Sequence, residues 1–352
     1  MKIGVATVAQ LTDFDQIIDV RTPAEFAEDH VPGAINCPVL DDNQRIEVGT
    51  LYKQVSPFAA RRVGAAYAAE AIGRHIRERF LDKPKHWRPL IMCWRGGQRS
   101  GSMVTVLRAV GWDACQLEGG YKAFRAKVMT ELTELPQRFQ WRVITGPTGS
   151  AKTHILQALV RQGAQALDLE TLACHKGSVL GADPIEAQPG QNKFETQLWL
   201  ALQGFKAEQP VWVEAESRKI GRVHIPDQLI AAIRCAEVFA VTAPLEARVR
   251  FLMSEYGHFL AEPEKLKECL NALRALRGNE TIKRWQTWID QGLFPELVAA
   301  LLNEHYDPAY HSSQSRNFTQ LDEGHILKAD TLDPPAISAL AQQAVSRTVP
   351  GS

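Results

Sequence analysis

The sequence predicts an α/β protein built from two parallel-sheet domains, the second carrying a helical C-terminal extension. Three observations lead there. Short apolar runs alternate with longer stretches of helical spacing, the pattern of strand–helix–strand units whose sheets are parallel and helix-covered. The alternation halts at a polar connection, Glu131 to Arg138 with Pro136 inside it, and then restarts. In each half, a glycine-bearing loop joins a strand to a helix. At about 100–200 residues per domain, the 352 residues allow roughly two domains, and a 45% hydrophobic content gives each a core.

In the first half, Ile17-Ile18-Asp19-Val20 is a buried-strand signal, Pro23 starts a short helix, and Pro32-Gly33 turns into the strand Ala34-Ile35-Asn36. Phe58 to Phe80 has helical spacing and is rich in Ala, Arg and Glu. Pro89 to Met92 is a strand, Ser100 to Val110 a helix ending at Gly111, and Ala114 to Leu117 a strand before the turn Gly119-Gly120. In the second half, Gln140 to Thr145, Ala166 to Leu169, Val211 to Glu214 and Val238 to Val241 are strands. Phe194 to Lys206 and Asp227 to Arg234 are intervening helices, and Leu245 to His305 is helical throughout. The expected divisions are 1–132, 139–335 and a flexible tail, 336–352, that is small and polar.

The chain balances 40 basic against 40 acidic side chains, which argues against a polybasic binder but leaves room for a local RNA-binding face. Arg61, Arg62, Arg74, Arg77 and Arg79 form one basic helix that could meet phosphates. The six cysteines form no C-x-x-C pair and no zinc-ligand spacing, and scattered single cysteines suit a reducing compartment. The N-terminal residues show no basic stretch followed by an apolar run, and no run of about 18 apolar residues occurs. The expectation is a cytoplasmic protein with no membrane contact, working as a monomer.

Cys93-Trp94-Arg95-Gly96-Gly97-Gln98-Arg99-Ser100 lies between a strand and a helix. A loop wrapping onto a helix N-terminus aims backbone N–H groups inward, beside the positive end of the helix dipole. Gly96 and Gly97 let it curl, and Arg95 and Arg99 add positive charge. A thiol at its centre is acidified, and its thiolate is a nucleophile. Cys93, Arg95 and Arg99 are therefore the candidate catalytic residues. With Ile18-Asp19-Val20-Arg21, Glu25-Phe26 and His30-Val31-Pro32-Gly33-Ala34-Ile35-Asn36, residues 12–130 resemble the rhodanese domain family. The resemblance implies a chalcogen-carrying role for Cys93 and a fold-locking role for Asp19 and Arg21.

Gly146-Pro147-Thr148-Gly149-Ser150-Ala151-Lys152-Thr153 has phosphate-loop spacing and the confirming strand before it and helix after it. Backbone amides from Gly146, Thr148, Gly149, Ser150 and Ala151 would wrap a diphosphate and Lys152 would reach its outer phosphate. Ala151 stands where a glycine is expected, and its methyl group is expected to narrow the approach. Thr153 could ligate a metal ion, with Glu214 at the end of one strand, or Asp168 or Glu170 at the end of another, as the acid. The fold class is thus a rhodanese-like domain followed by a P-loop NTPase-like domain.

Taken with Gly49-Thr50-Leu51-Tyr52-Lys53-Gln54, Ser56-Pro57-Phe58, His175-Lys176-Gly177-Ser178 and Val213-Glu214-Ala215-Glu216-Ser217-Arg218-Lys219-Ile220-Gly221, nearly the whole chain resembles the tRNA 2-selenouridine synthase family. That resemblance adds His175, Lys176, Glu216, Ser217, Arg218 and Lys219 as candidate site residues. It implies a tRNA substrate with 2-thiouridine at the wobble position, geranyl diphosphate and selenophosphate as co-substrates, Mg2+ as a candidate ion, and selenium carried on Cys93 as a perselenide. Candidates for an apolar prenyl groove are Leu198, Trp199, Leu202 and Phe205, or Trp285 and Trp288. The alternative is a rhodanese-type sulfurtransferase with an ATP-dependent P-loop domain.

Overall fold

The computed structural model describes residues 4–178, 180–181, 185–310 and 324–347, and the chain divides into two units between Glu131 and Leu132. The first contains β1 (Val5–Ala6), β2 (Gln16–Asp19), β3 (Ile35–Asn36), β4 (Pro89–Met92) and β5 (Cys115–Leu117), in the sheet order β1-β5-β4-β2-β3. Every pairing in it is parallel. Its helices are α1 (Pro23–Glu28), α2 (Asp42–Gln54), α3 (Pro57–His75), α4 (Gln98–Val110) and α5 (Gly120–Glu134). β4 is central and all four of its residues are buried, which places the chain just beyond it at the end of the sheet's core. Helix starts follow capping chemistry: Thr22, Asp41 and Ser56 accept the amides of Glu25, Gln44 and Ala59, with Pro23 and Pro57 in the first helical turn. The long helix expected to reach Phe80 ends as a helix at His75 and continues as one wider turn, Ile76–Phe80.

Asp19 and Arg21 are both buried, and the Arg21 guanidinium bonds Asp19 at 2.7 Å, donates to the Asp29 carbonyl at 2.7 Å and lies 3.9 Å from the Tyr121 ring centre. Tyr121 in turn donates its hydroxyl to Asp29 at 2.7 Å. None of these contacts is to the Cys93 sulfur, and the buried pair ties β2 to the Asp29 backbone and Tyr121, which fits the fold-locking role the resemblance implies. Arg21→Ala should cost about 3–5 kcal/mol, because it strands the Asp19 carboxylate without its partner. Urea unfolding of the full chain, read at the first unit's transition, measures this.

The second unit contains β6 (Trp141–Thr145), β7 (Gln165–Leu167), β8 (Val211–Glu214), the short hairpin β9 (Lys219–Ile220) and β10 (Val223–His224), β11 (Glu237–Thr242) and β12 (His325–Lys328). Its main sheet runs β12-β11-β6-β8-β7 and is again wholly parallel. The helices are α6 (Lys152–Arg161), α7 (Leu169–Ala173), α8 (Gln191–Gln203), α9 (Asp227–Arg234), α10 (Leu245–Glu255), α11 (Gly257–Ala261), α12 (Pro263–Asn271), α13 (Arg274–Asp290) and α14 (Phe294–Leu301). The helical stretch from Leu245 is thus an array of short helices with its own core around Leu270, Ile282 and Trp285.

Two expectations change here. The strand expected over Ala166 to Leu169 stops at Leu167, because Asp168 accepts the Thr171 amide at 2.8 Å and caps α7 instead. The expected flexible tail is a helix, Pro334–Ser346, capped by Asp333. Ile337, Leu340, Ala341 and Ala344 recur at helical spacing and are buried in the same core cluster as Ile155 and Leu159 of α6. Residues 348–352 lie outside the described residues.

Candidate active sites

In the first unit, Cys93 follows β4 and only 3% of it is exposed. It is shielded yet well supplied with donors. The Gly97 amide donates to Sγ at 3.3 Å, and the Ser100 hydroxyl lies 3.1 Å from it. Gln116 Nε2 donates both to Ser100 Oγ, at 2.8 Å, and to the Gly97 carbonyl, at 2.9 Å. With those acceptors occupied, the Ser100 proton has the sulfur as its nearer partner. Burial pushes the Cys93 thiol up, but hydrogen bonds from the Ser100 hydroxyl and from the amides of Ser100, Gly97 and Arg95 outweigh it and hold the thiol below its ordinary value.

The loop curls because glycines permit it on both sides. Gly96 has φ +66°, and a Cβ there would sit 2.6 Å from the Leu117 carbonyl. Gly120, at φ +57°, backs directly onto the loop: a Cβ would collide with the Cys93 carbonyl oxygen and lie 2.6 Å from the Gly96 nitrogen. Tyr121 and Lys122 then donate their amides to the Cys93 and Trp94 carbonyls at 2.8 and 3.0 Å. In the sequence Gly119-Gly120 reads only as a turn, and Ser100 and Gln116 carry no signal of their support for the sulfur.

The two arginines contribute less charge than the sequence suggests. Arg99 is paired with Glu25 at 2.6 Å, so much of its charge is already spent. Burial alone would raise Glu25, but the hydrogen bond and charge of Arg99 hold its carboxyl below its usual value. Arg95 is exposed, and it is its backbone amide, not its side chain, that supports the sulfur. Ser100→Ala should therefore raise the thiol pKa by about 1–2 units, since a hydrogen bond to a charged group is worth about 1.5–3 kcal/mol and a pKa unit about 1.4. The thiolate would then appear at higher pH, which ultraviolet titration against a Cys93→Ser blank would show.

In the second unit, the phosphate loop runs from β6 into α6. Gly149 has φ +81°, and a Cβ there would press to 2.9 Å against Leu252. Ala151 takes the same left-handed region, φ +59°, but is buried within the core cluster that includes Ile144 and Ile155. Its methyl group packs against that cluster, and Ala151 also lines the cavity over the loop. The loop is pinned by Arg248, which donates to the Thr148 carbonyl at 3.1 Å and grips Asp307 through two bonds, 2.9 and 2.8 Å. Lys152 Nζ lies 3.2 Å from the Gly146 carbonyl.

A cavity of about 440 Å³ opens over this loop, lined by Thr148 through Thr153 and by Glu170, His175, Lys176 and Glu216. Lys176 bonds Glu255 at 2.9 Å, and His154 bonds the other oxygen at 3.2 Å. The His154 hydrogen bond, opposed by burial and reinforced by Lys176, holds the Glu255 carboxyl down to about 2. His175 is kept below its usual value by burial and accepts the Gly177 amide at 3.1 Å, so it stands neutral.

Not every candidate reaches the cavity. Glu214 is fully buried and accepts the amides of Leu169 and Glu170 at 2.7 and 3.0 Å, while Asp168 caps α7, so neither lines it. Ser217, Arg218 and Lys219 are exposed; Ser217 closes a turn onto the Lys219 carbonyl and Arg218 pairs with Asp227 at 2.9 Å. Among the described residues the acids lining the cavity are Glu170, Glu186, Glu216 and Glu255, and of these Glu170 accepts the Thr153 hydroxyl at 2.8 Å. Burial, then the neighbouring Glu170 charge, pushes Glu216 well above the usual carboxyl range against the opposing pull of Lys152, and the two carboxyls are hydrogen-bonded to each other.

A cysteine held by amides in one unit and a phosphate loop over a polar cavity in the other define a two-unit transferase. The first unit matches the family described as a rhodanese-like domain over residues 5–127, and the second the tRNA 2-selenouridine synthase AAA domain over residues 139–325. A tRNA 2-selenouridine synthase of Nitrosomonas europaea is 36% identical over 306 residues, covering 85% of this chain and 78% of the relative. One from Alcanivorax borkumensis is 32% identical over 332 residues, covering 85% of this chain and 90% of the relative. The chain belongs to the tRNA 2-selenouridine synthase family.

Proposed function

We propose that this enzyme replaces sulfur by selenium in 2-thiouridine at the tRNA wobble position, using geranyl diphosphate and then selenophosphate. In the first step the thiocarbonyl sulfur attacks C1 of geranyl diphosphate; the C–S bond forms, the C–O bond breaks and diphosphate leaves. This turns a poor leaving group into a thiol. In the second step the Cys93 thiolate attacks C2 and geranylthiolate departs. The selenium of selenophosphate then displaces Cys93, and water cleaves the Se–P bond to give 2-selenouridine and phosphate. Selenium stays at the selenide level throughout, so no oxidant or reductant enters. A perselenide on Cys93 would hold zero-valent selenium and need a further thiol to release it, which makes the direct route the simpler one.

The observation that carries this reading is that the polar phosphate cavity adjoins an apolar cleft. The cleft is lined by Met253, Phe259, Leu266, Leu297 and Leu301, and shares Thr148, Leu252 and Tyr256 with the polar cavity. A diphosphate on the loop would direct its attached chain toward it, and the lining side chains would part to admit that chain, because the cleft encloses only about 70 Å³ as it stands. The groove candidates read from the sequence, Leu198, Trp199, Leu202 and Phe205 or Trp285 and Trp288, do not line it. Amides of the loop, together with Lys152 and Lys176, stabilise the departing diphosphate.

Among the described residues no three of His, Cys, Asp or Glu gather as a metal site. The Thr153 hydroxyl with the Glu170 and Glu216 carboxyls is nevertheless an all-oxygen set of the kind Mg2+ takes alongside its waters, and a shared carboxyl proton is what a cation replaces. Mg2+ held there would neutralise diphosphate charge. None of the described helices is long and apolar enough to cross a membrane. We place the enzyme in the cytoplasm, where its tRNA is, acting as a single copy.

The test is mass spectrometry of tRNA nucleosides after incubation with geranyl diphosphate and then selenophosphate. The expected sequence is S-geranylated 2-thiouridine followed by 2-selenouridine. Rapid ATP turnover without RNA, and no geranylated nucleoside, would replace this reading by the sulfurtransferase one.

A further inference from the structure

We propose that the first unit carries its own seat for an unpaired RNA base, in the groove between α2 and α3 that opens beside the Cys93 loop. The proposal rests on the reading of the substrate as tRNA and says which part of the chain receives it.

The groove encloses about 440 Å³ and is lined by Tyr52, Pro57 and Arg61 on the α2–α3 side and by Gln98 and Arg99 at the start of α4. Gln98 and Arg99 lie between Gly97 and Ser100, the two residues that bond the Cys93 sulfur. The groove and the thiol cradle therefore share one turn of chain. A base held in the groove is presented to the nucleophile by the same backbone that activates it.

Charge and surface chemistry favour nucleic acid. Among the described residues the charged side chains lining the groove are both arginines, and no carboxylate lines it. Arg99 is neutralised from behind by Glu25, which leaves Arg61 as the cation facing a phosphate. Arg61 is exposed, and its one side-chain hydrogen bond among the described residues is to the Pro57 carbonyl, at 3.3 Å. Arg62, the next residue of α3 and outside the groove lining, lies 5.5 Å from the Phe58 ring centre. The rings themselves face solvent: Tyr52 is 61% exposed and Phe58 65%. Cations interleaved with exposed aromatic faces are how proteins hold single-stranded nucleic acid, stacking on the bases while pairing with the backbone. A duplex offers phosphates but hides its base faces, so the rings select for a loop. This also accounts for the run from Gly49 through Phe58, a segment that neither the sulfur cradle nor the phosphate loop uses.

The experiment measures binding by the full-length enzyme of a fluorescent anticodon stem–loop RNA and, separately, of the stem as a closed duplex. Tyr52→Ala should weaken stem–loop binding by about 5- to 150-fold, the worth of one base stack, and leave the duplex unaffected. Tyr52→Phe, which keeps the ring, should bind as the wild type does. Arg61→Ala should weaken the stem–loop and flatten its salt dependence. The ultraviolet titration of Cys93 should be unchanged in all three variants, which shows that the unit is folded. If Tyr52→Ala binds the stem–loop as tightly as wild type, or loses stem–loop and duplex equally, the base seat is wrong. If wild-type enzyme binds neither RNA, the tRNA reading itself fails, a different result from failure of the groove.

Discussion

Cys93→Ser should abolish selenium incorporation while leaving S-geranylation intact. The structural ground is that every feature around residue 93 serves an anion. The Gly97 amide and the Ser100 hydroxyl aim at the sulfur, Gln116 holds the hydroxyl in place, and the Arg95 amide adds to them. These donors favour the charged form of a thiol. A serine hydroxyl remains protonated in the same cradle and is a weak nucleophile there. The loss should be about 10³-fold or more in converting geranylated RNA to selenouridine RNA, measured with RNA geranylated beforehand and selenophosphate added. The phosphate cavity belongs to the other unit, so geranyl transfer should persist at its wild-type rate. Full-rate conversion by the serine variant would remove Cys93 from the chemistry. A second readout follows from the bond changes. Wild-type enzyme with geranylated RNA and no selenophosphate should accumulate a protein–RNA adduct at Cys93, and the serine variant should not.

Some of this was legible from local pattern and some was not, for physical reasons. The two loops were readable because each compresses its requirement into eight consecutive residues: glycines where the backbone must curl, a reactive side chain, and a helix start. The residues that make those loops work come from afar. Gln116 reaches Ser100 because β5 pairs beside β4, and Gly120 meets Cys93 through the turn that follows β5. Arg248 and Asp307 are separated by 59 positions and meet across the phosphate loop without any local periodicity. The acids show a different failure. Asp168 looked like a carboxylate at a strand end, but a short polar side chain three residues before Thr171 is also a helix cap, and capping won. Of the two acids the sequence places at that strand end, Asp168 and Glu170, it is Glu170 that lines the cavity. The final helix was missed although Asp333, Pro334 and the spacing of Ile337, Leu340, Ala341 and Ala344 announce it; its core residues are partly alanine, and small residues read as surface.

Lys152→Ala should remove the first step and spare the second. Lys152 stands at the start of α6, beside the loop amides, with its ammonium 3.2 Å from the Gly146 carbonyl. It forms no salt bridge among the described residues, whereas Lys176, the other lysine at the cavity, is engaged with Glu255 at 2.9 Å. Lys152 is thus the cation most available to a departing diphosphate. Removing one donor aimed at developing charge typically costs about 10²–10³-fold in rate, and geranyl transfer should fall by that much. The field of Lys152 also opposes the upward push on Glu216, so the variant should hold the Glu216 proton to still higher pH. RNA geranylated beforehand should still be converted to selenouridine RNA by the variant at the wild-type rate, because that step relies on Cys93. The substrate decides between the two readings of the loop. Were the loop an ATPase, the same variant would lose ATP turnover, and geranyl diphosphate would leave no mark on the RNA of the wild type. The expected result is the reverse: geranyl diphosphate alone supports the first product, and its yield collapses when residue 152 loses its charge.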